Sequence, residues 1–401
     1  MTIKRLSEKD REKTKKLLFY CFYEPENWSW DSENWNKFFS LLKLNNSLGF
    51  FIDNELVSTY LIHDFHCFVR GDPMNFGGIA GVTTQPEFRR QGQVAKLHQE
   101  ALKVMKENGQ YLSALYPFKY SFYRKFGYEI CCEASWIISK PANIKLPPDF
   151  KALPIKEISQ KDSFEILKPL RKKVSQRYNL MRFQSSTVWE FHKFDKHSKV
   201  HLIEQQDEIV GYFISTLEKR SGEWNIRLTI TDAVMANEQA RLTLFNYIKK
   251  HGDQLADFKL VLYGDERIFD YFEELWLSKA EFHLCGSCMF RVVDVVKALN
   301  QLSFPQELDF IFSLQVLDKD AVWNQDIFEV KISEGKAEIT KTNTKSTIDV
   351  KMDIRSFTQL FMGYRSIYDL IELNKVTICD EIIPLLNKAF PKIITRIMIS
   401  F

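Results

Sequence analysis

Along the first third of the chain the apolar positions change period several times, and each change predicts an element. A short apolar strand is centred on Ile3, and from about Asp10 leucine and phenylalanine recur at helical spacing through Phe19 and Phe22. Phe50-Phe51-Ile52 and Leu56 to Ile62 read as hairpin strands joined by the polar Asp53-Asn54-Glu55. Gly77 to Thr84 reads as a buried strand that stops at Pro86, because proline cannot donate a ladder bond. The next helix carries Val94, Leu97, Ala101, Val104 and Met105 on one face, with Asn108-Gly109 as its stop. Tyr111 to Leu115 predicts a strand, and Phe122 to Phe126 a short helix before Gly127 and Tyr128. The order is strand, helix, three strands, helix, strand, helix, strand.

Much of this order then repeats. His201 to Glu204 and Ile209 to Ile214 flank a polar turn, Leu228 to Val234 is a strand, and a helix runs from Glu238 to about His251. Where the first copy has a basic glycine turn before its helix, the second has Met235-Ala236-Asn237, so we expect a duplicated fold that has lost an anion site. A third segment alternates as strands over Phe328 to Ile332 and Ala337 to Thr340, around Ser333-Glu334-Gly335-Lys336. Helices near Ser356 to Phe361 and Glu381 to Ala389 follow, and Ile393 to Phe401 predicts a docked apolar strand. Proline-marked breaks at Pro141 to Pro154 and at Asn300 to Pro305 set the expected domains at 1–146, 147–300 and 301–401.

Length supports that division, since 401 residues exceed one ordinary core. The net charge of +3 gives no field that gathers nucleic acid, so any basic site must be local. No stretch has the apolar length of a membrane span and the start lacks a secretory pattern, which makes cytoplasm the expected location. Seven scattered cysteines read as reduced packing residues. His283, Cys285 and Cys288 have no matching second pair, so no metal is expected.

The chemistry concentrates at Arg89-Arg90-Gln91-Gly92-Gln93, with Val94 and Ala95 continuing into the helix. A helix start offers unpaired N–H groups and the positive end of its dipole to a diphosphate. Gly92 lets the backbone come close, Arg89 or Arg90 adds charge-assisted hydrogen bonds, and the backbone of Val82, Thr83 and Thr84 suits the amides of a pantetheine arm. Tyr120, Tyr123 and Tyr128 are rival candidates for a proton donor, each equally readable as a half-buried packing tyrosine. Glu24 and Trp28 lie in a stretch of aromatic rings and carboxylates suited to a cationic amine, with core packing and solvated acids as the competing account.

Arg89-x-x-Gly92 between a strand and a helix resembles the acyl-CoA signature of the GNAT acetyltransferase superfamily, although Val94 stands where glycine or alanine is usual. Tyr116-Pro117-Phe118, followed by Phe122 to Tyr128, is similar to the stretch after that superfamily's fifth strand. The whole plan is similar to the enhanced intracellular survival (Eis) family. The resemblance implies an α+β fold of two tandem GNAT folds, the second degenerate, plus a C-terminal sterol-carrier-protein-like α/β domain. It also implies acetyl-CoA as co-substrate, with Phe118 and Lys119 adding to the coenzyme contacts, and direct acetyl transfer to a primary amine. The acceptor would be an aminoglycoside, a polyamine or a lysine-like peptide group. Tyr123 would serve as general acid, the C-terminal carboxylate of Phe401 as general base, and the protein would form a homo-oligomer, a hexamer by that resemblance. The alternative is a non-catalytic lipid-binding or scaffold protein that uses the C-terminal domain, which would have no need of the basic turn.

Overall fold

The computed structural model describes residues 1–22, 44–180, 182–184, 197–222, 225–262, 268–274, 276, 280–342 and 347–396, apart from the side chains of 182–184 and 285. They form two compact units: one holds residues 1–131 and 288–395, the other residues 132–287 with residue 396.

The first unit opens with β1 (Thr2–Arg5) and α1 (Arg11–Cys21), the turn between them closed by a reciprocal capping box of Ser7 and Asp10. β2 (Leu48–Ile52), β3 (Glu55–Val69) and β4 (Asp72–Thr84) form an antiparallel run. Both hairpins turn on pairs of left-handed residues, Asp53-Asn54 and Arg70-Gly71, whose twist matches that of the strands. The second of these turns extends β3 and β4 well past the lengths expected from the sequence, so His63, His66 and Cys67 lie inside a strand. Then come α2 (Gln93–Glu107), β5 (Leu112–Leu115), α3 (Tyr120–Arg124) and β6 (Glu129–Ile130). α3 begins two residues earlier than expected, directly after its N-cap Lys119.

Strand order in this sheet is β1-β2-β3-β4-β5-β14-β6, where β14 is Met289–Val292, far downstream. Within this order β4 and β5 run parallel. The second unit repeats the plan with β7 (Glu133–Ser139), β8 (Ile155–Ile158), α4 (Ser163–Ser175), β9 (Lys199–Gln205), β10 (Glu208–Lys219), β11 (Ile226–Met235), α5 (Glu238–Lys249), β12 (Asp257–Leu262) and β13 (Ala280–Gly286). Its order is β13-β7-β12-β11-β10-β9-β8, again with one parallel pair, β11 and β12. The exchange is reciprocal: the place beside β5 is filled by β14, and the equivalent place beside β12 by β7.

After α6 (Val295–Asn300) the first unit continues into a third sheet built from β15 (Phe310–Leu317), β16 (Ile327–Ser333), β17 (Lys336–Thr342), β18 (Val350–Asp353) and β19 (Val376–Ile378), in the order β17-β16-β15-β18-β19. Helices α7 (Ile354–Phe361), α8 (Ile367–Glu372) and α9 (Ile383–Ala389) accompany it, α7 burying Ile354, Phe357, Leu360 and Phe361. The β3–β4 turn is tied to this part of the unit by Arg70, whose guanidinium donates to the carbonyls of Leu360, Phe361 and Pro391. Residues 393–396 belong to no strand of these sheets, and the rest of the predicted terminal strand lies outside the described residues.

Candidate active site

The parallel pairing of β4 with β5 ends at Ile79 opposite Leu115, yet β4 continues to Thr84. At the same level β4 slips register against β3, between Thr59 and Leu61, around Gly81 at φ +53°. A strand that bulges and then outruns its neighbour leaves an opened seam between the two. Ile79 and Leu115 belong to the same packed cluster as Val82, Val94 and Tyr123. Thr83 is buried, with its carbonyl accepting from Ser58 Oγ, while the carbonyl of Thr84 accepts from Arg89 Nε at 3.0 Å.

Arg89 is thus folded back on the end of β4, and the chain turns through Arg90 at φ +63° and Gly92 at φ +84°. A positive φ at an arginine is strained and persists where the surroundings enforce it. Gly92 is the N-cap of α2, with no side-chain cap; the first intrahelical bond runs from Lys96 N to Gly92 O at 3.2 Å. The N–H groups from Gln93 to Ala95 therefore lack intrahelical partners. A Cβ built on Gly92 would meet nothing within 4 Å, so the concave side of the turn is open. Arg89, Arg90, Gln91 and Gly92 are exposed, whereas Gln93 is buried and donates from Nε2 to Gln91 Oε1 at 3.3 Å. This is a cradle shaped for an oxyanion. The corresponding helix of the second unit differs in one decisive respect: Asn237 caps α5 with its own side chain, accepting from Ala240 N at 2.9 Å, so a donor left free in the first copy is used up in the second.

Tyr123 stands on α3, 5% exposed, against the edges of Phe118, Phe122 and Tyr128. Burial, reinforced by Tyr128, pushes its phenol above the ordinary tyrosine range, so it holds its proton at neutral pH. No described residue hydrogen-bonds its hydroxyl. Phe118 and Lys119 are exposed just ahead of it. Behind it lies a buried polar cluster that the sequence does not announce. Tyr128 Oη pairs with Ser113 Oγ at 2.7 Å, and Tyr60 Oη with His98 Nδ1 at 3.0 Å. Burial, with the nearby Arg291 charge, holds His98 well below its usual pKa and therefore neutral. The sequence places His98 within a predicted helix and Tyr60 within a predicted strand; only packing brings them together.

Glu24, Trp28 and Phe401 lie outside the described residues. His283 stacks on Trp136, and Cys288, fully buried, points its thiol at Leu115 O. Among the described residues no group of histidine, cysteine and carboxylate side chains could hold a metal ion. Nor is any described helix long and apolar enough to cross a membrane.

Residues 2–131 match the acetyltransferase (GNAT) domain family and residues 295–395 the sterol carrier protein domain family. The chain is therefore an acyltransferase that carries a GNAT acetyltransferase domain and a C-terminal sterol-carrier-type domain, and the GNAT fold implies acetyl-CoA as co-substrate. Solved structures share the whole architecture. A GCN5-related N-acetyltransferase from Anabaena variabilis ATCC 29413 is 20% identical with a TM-score of 0.87 over 100% of both chains. A probable N-acyltransferase from Enterococcus faecalis V583 is 23% identical with a TM-score of 0.86, over 100% of this chain and 99% of that one. Eis1 from Mycobacterium abscessus is 17% identical with a TM-score of 0.81 over 100% of both chains. No curated protein matches the chain in sequence.

Proposed function

We propose that this protein transfers the acetyl group of acetyl-CoA directly to a primary amine: an aminoglycoside, a polyamine or a lysine-like side chain. The observation that carries the reading is the uncapped start of α2 at Gly92 beside the opened β4–β5 seam, within an acetyltransferase domain. Backbone donors from Gln91 to Ala95, with Arg90 and the outer nitrogens of Arg89, meet the diphosphate. The backbone of Val82, Thr83 and Thr84 pairs with the pantetheine amides, and Phe118 and Lys119 flank the same ligand.

In the transfer the amine nitrogen attacks the thioester carbonyl, the new C–N bond forms and the C–S bond breaks with its electron pair going to sulfur. Tyr123 gives its proton to that sulfur, and the C-terminal carboxylate of Phe401 takes the proton lost by nitrogen. That proton then returns to the tyrosinate through solvent. A thiol of reference pKa about 8.5 leaves more readily when protonated, and the raised pKa of Tyr123 keeps the donor loaded. A carboxylate of reference pKa roughly 3.5 is a weak base in water, so its role requires burial or one intervening water. Glu24 and Trp28 are taken as acceptor contacts on their chemistry, a carboxylate and a ring face for a cationic amine. The protein is taken to be cytoplasmic and to assemble as a homo-oligomer, a hexamer.

A thiol-release assay with purified protein, acetyl-CoA and a panel of amines tests the proposal. Release of free thiol that depends on one class of amine is expected. No turnover on any amine, together with no heat of acetyl-CoA binding, would end it.

A further inference from the structure

The structure points to a brace for the acid-bearing helix, built from the third sheet's end of the unit and acting through Arg291. We propose that Arg291, held by Asp318, is a positioning residue for Tyr123, and that fixing this helix is one task of the sterol-carrier-type domain in the reaction. The inference rests on the assignment of Tyr123 as acid.

α3 is short and ends in a Schellman motif. Gly127 N donates to Arg124 O at 3.2 Å, and Tyr128 N to Tyr123 O at 3.3 Å, with Gly127 at φ +77°. One carbonyl at that end, Phe126 O, receives a side chain: Arg291 Nη1 donates to it at 2.6 Å. Arg291 lies on β14 opposite Ser113, which itself bonds Tyr128, so the guanidinium sits beneath the residues that follow α3. It is fully buried.

A buried guanidinium needs a counter-charge, and the one present comes from just beyond β15. Arg291 Nη2 donates to both oxygens of Asp318, at 2.7 and 2.6 Å. Asp318 is fixed in turn by Asn324 Nδ2 at 2.9 Å and by the backbone N–H groups of Asp320 and Ala321 at 3.2 and 3.3 Å. Asn324 also accepts from Val295 N and donates to Val293 O, which locks the network to the start of α6. A relay of fixed donors therefore runs from the sterol-carrier-type domain through Arg291 to the carbonyl that closes the Tyr123 helix. Gly127 completes it, since a Cβ there would stand 2.1 Å from Arg291 Nη1. A helix this short has little stability of its own, so the orientation of Tyr123 depends on what holds its ends.

Removing only one charge would strand the other in the core, so the main test uses the double variant Arg291→Met/Asp318→Leu, which removes both. With that variant folded, we expect kcat to fall by at least about tenfold while KM for acetyl-CoA stays within about twofold. Arg291→Lys keeps a buried charge against Asp318 but cannot serve two sites at once, and the same split is expected. Each change combined with Tyr123→Phe should then add little further loss, because both act on one group. Wild-type kcat in either folded variant, or full additivity with Tyr123→Phe, overturns the brace. If Tyr123→Phe alone leaves turnover unchanged, the assignment of the acid has failed instead.

Discussion

Replacing Gly92 by alanine separates two costs that the turn would otherwise combine. The added Cβ meets no atom within 4 Å, so the folded protein has no clash to relieve. The penalty to stability is then that of a left-handed alanine at φ +84°, about 1–2 kcal/mol. Gly127→Ala is the contrasting case: it combines a left-handed φ of +77° with a Cβ 2.1 Å from Arg291 Nη1, and should cost several kcal/mol or prevent folding. Where Gly92→Ala does harm is at the open side of the turn, in which the methyl would stand where a phosphate oxygen must approach the N–H groups of α2. Losing that approach should weaken acetyl-CoA at least about tenfold, equivalent to about 1.4 kcal/mol. Urea unfolding reads the first quantity and calorimetric titration of acetyl-CoA the second. A Gly92→Ala protein that binds acetyl-CoA with wild-type affinity would refute the cradle, whatever its stability.

Three further outcomes are expected. Tyr123→Phe should lower kcat by at least about a hundredfold with acetyl-CoA affinity nearly unchanged, and steady-state kinetics beside calorimetry decide this. One extra residue after Phe401 moves the terminal carboxylate by about 3.5 Å, and amine-dependent thiol release should collapse; full activity would exclude the terminal base. His201, buried against Phe213 and paired with Ser215 Oγ, has its pKa pushed down to about 4 by burial. Between pH about 6.5 and about 4 the unfolded chain binds its proton while the folded chain does not, so stability is full above that window and declines as pH falls through it, by at most about 3 kcal/mol. The gap between urea midpoints at pH 7.5 and 4.5 should narrow in His201→Gln, with buried His98 keeping a share of it; an unchanged gap would assign the acid sensitivity elsewhere.

The elements were legible wherever one face of them is buried. α2 shows its apolar stripe in Val94, Leu97, Ala101, Val104 and Met105, and the β2–β3 hairpin shows its turn at Asp53-Asn54, whereas the turn at Arg70-Gly71 was not legible. The basic glycine turn was visible because a helix start without a capping side chain is written in the residue types themselves. Pairing over distance leaves no such mark. Nothing local to Glu133–Ser139 or Met289–Val292 says that these strands complete sheets begun elsewhere, since an exchanged strand has the same alternation as one that stays at home. The polar cluster behind Tyr123 was hidden for a related reason. His98 and Tyr60 each occupy ordinary core positions of their own elements, and their hydrogen bond exists only once α2 lies on β3. Nothing local to Arg291 marks its partner, because Asp318 reaches it only through the third sheet.

The exchanged strands also govern how the protein can be made. A ribosome that has released Cys131 has supplied β1 to β6 of the first sheet but not the strand that seals β5. Met289 emerges roughly 160 residues later, on the order of 10–30 s at ordinary rates of synthesis. For that interval Leu112–Leu115 presents an unsealed ladder, the kind of edge that recruits chaperones or other nascent chains. The first sheet therefore cannot be completed before the second unit has been translated, which ties the two repeats together in biogenesis.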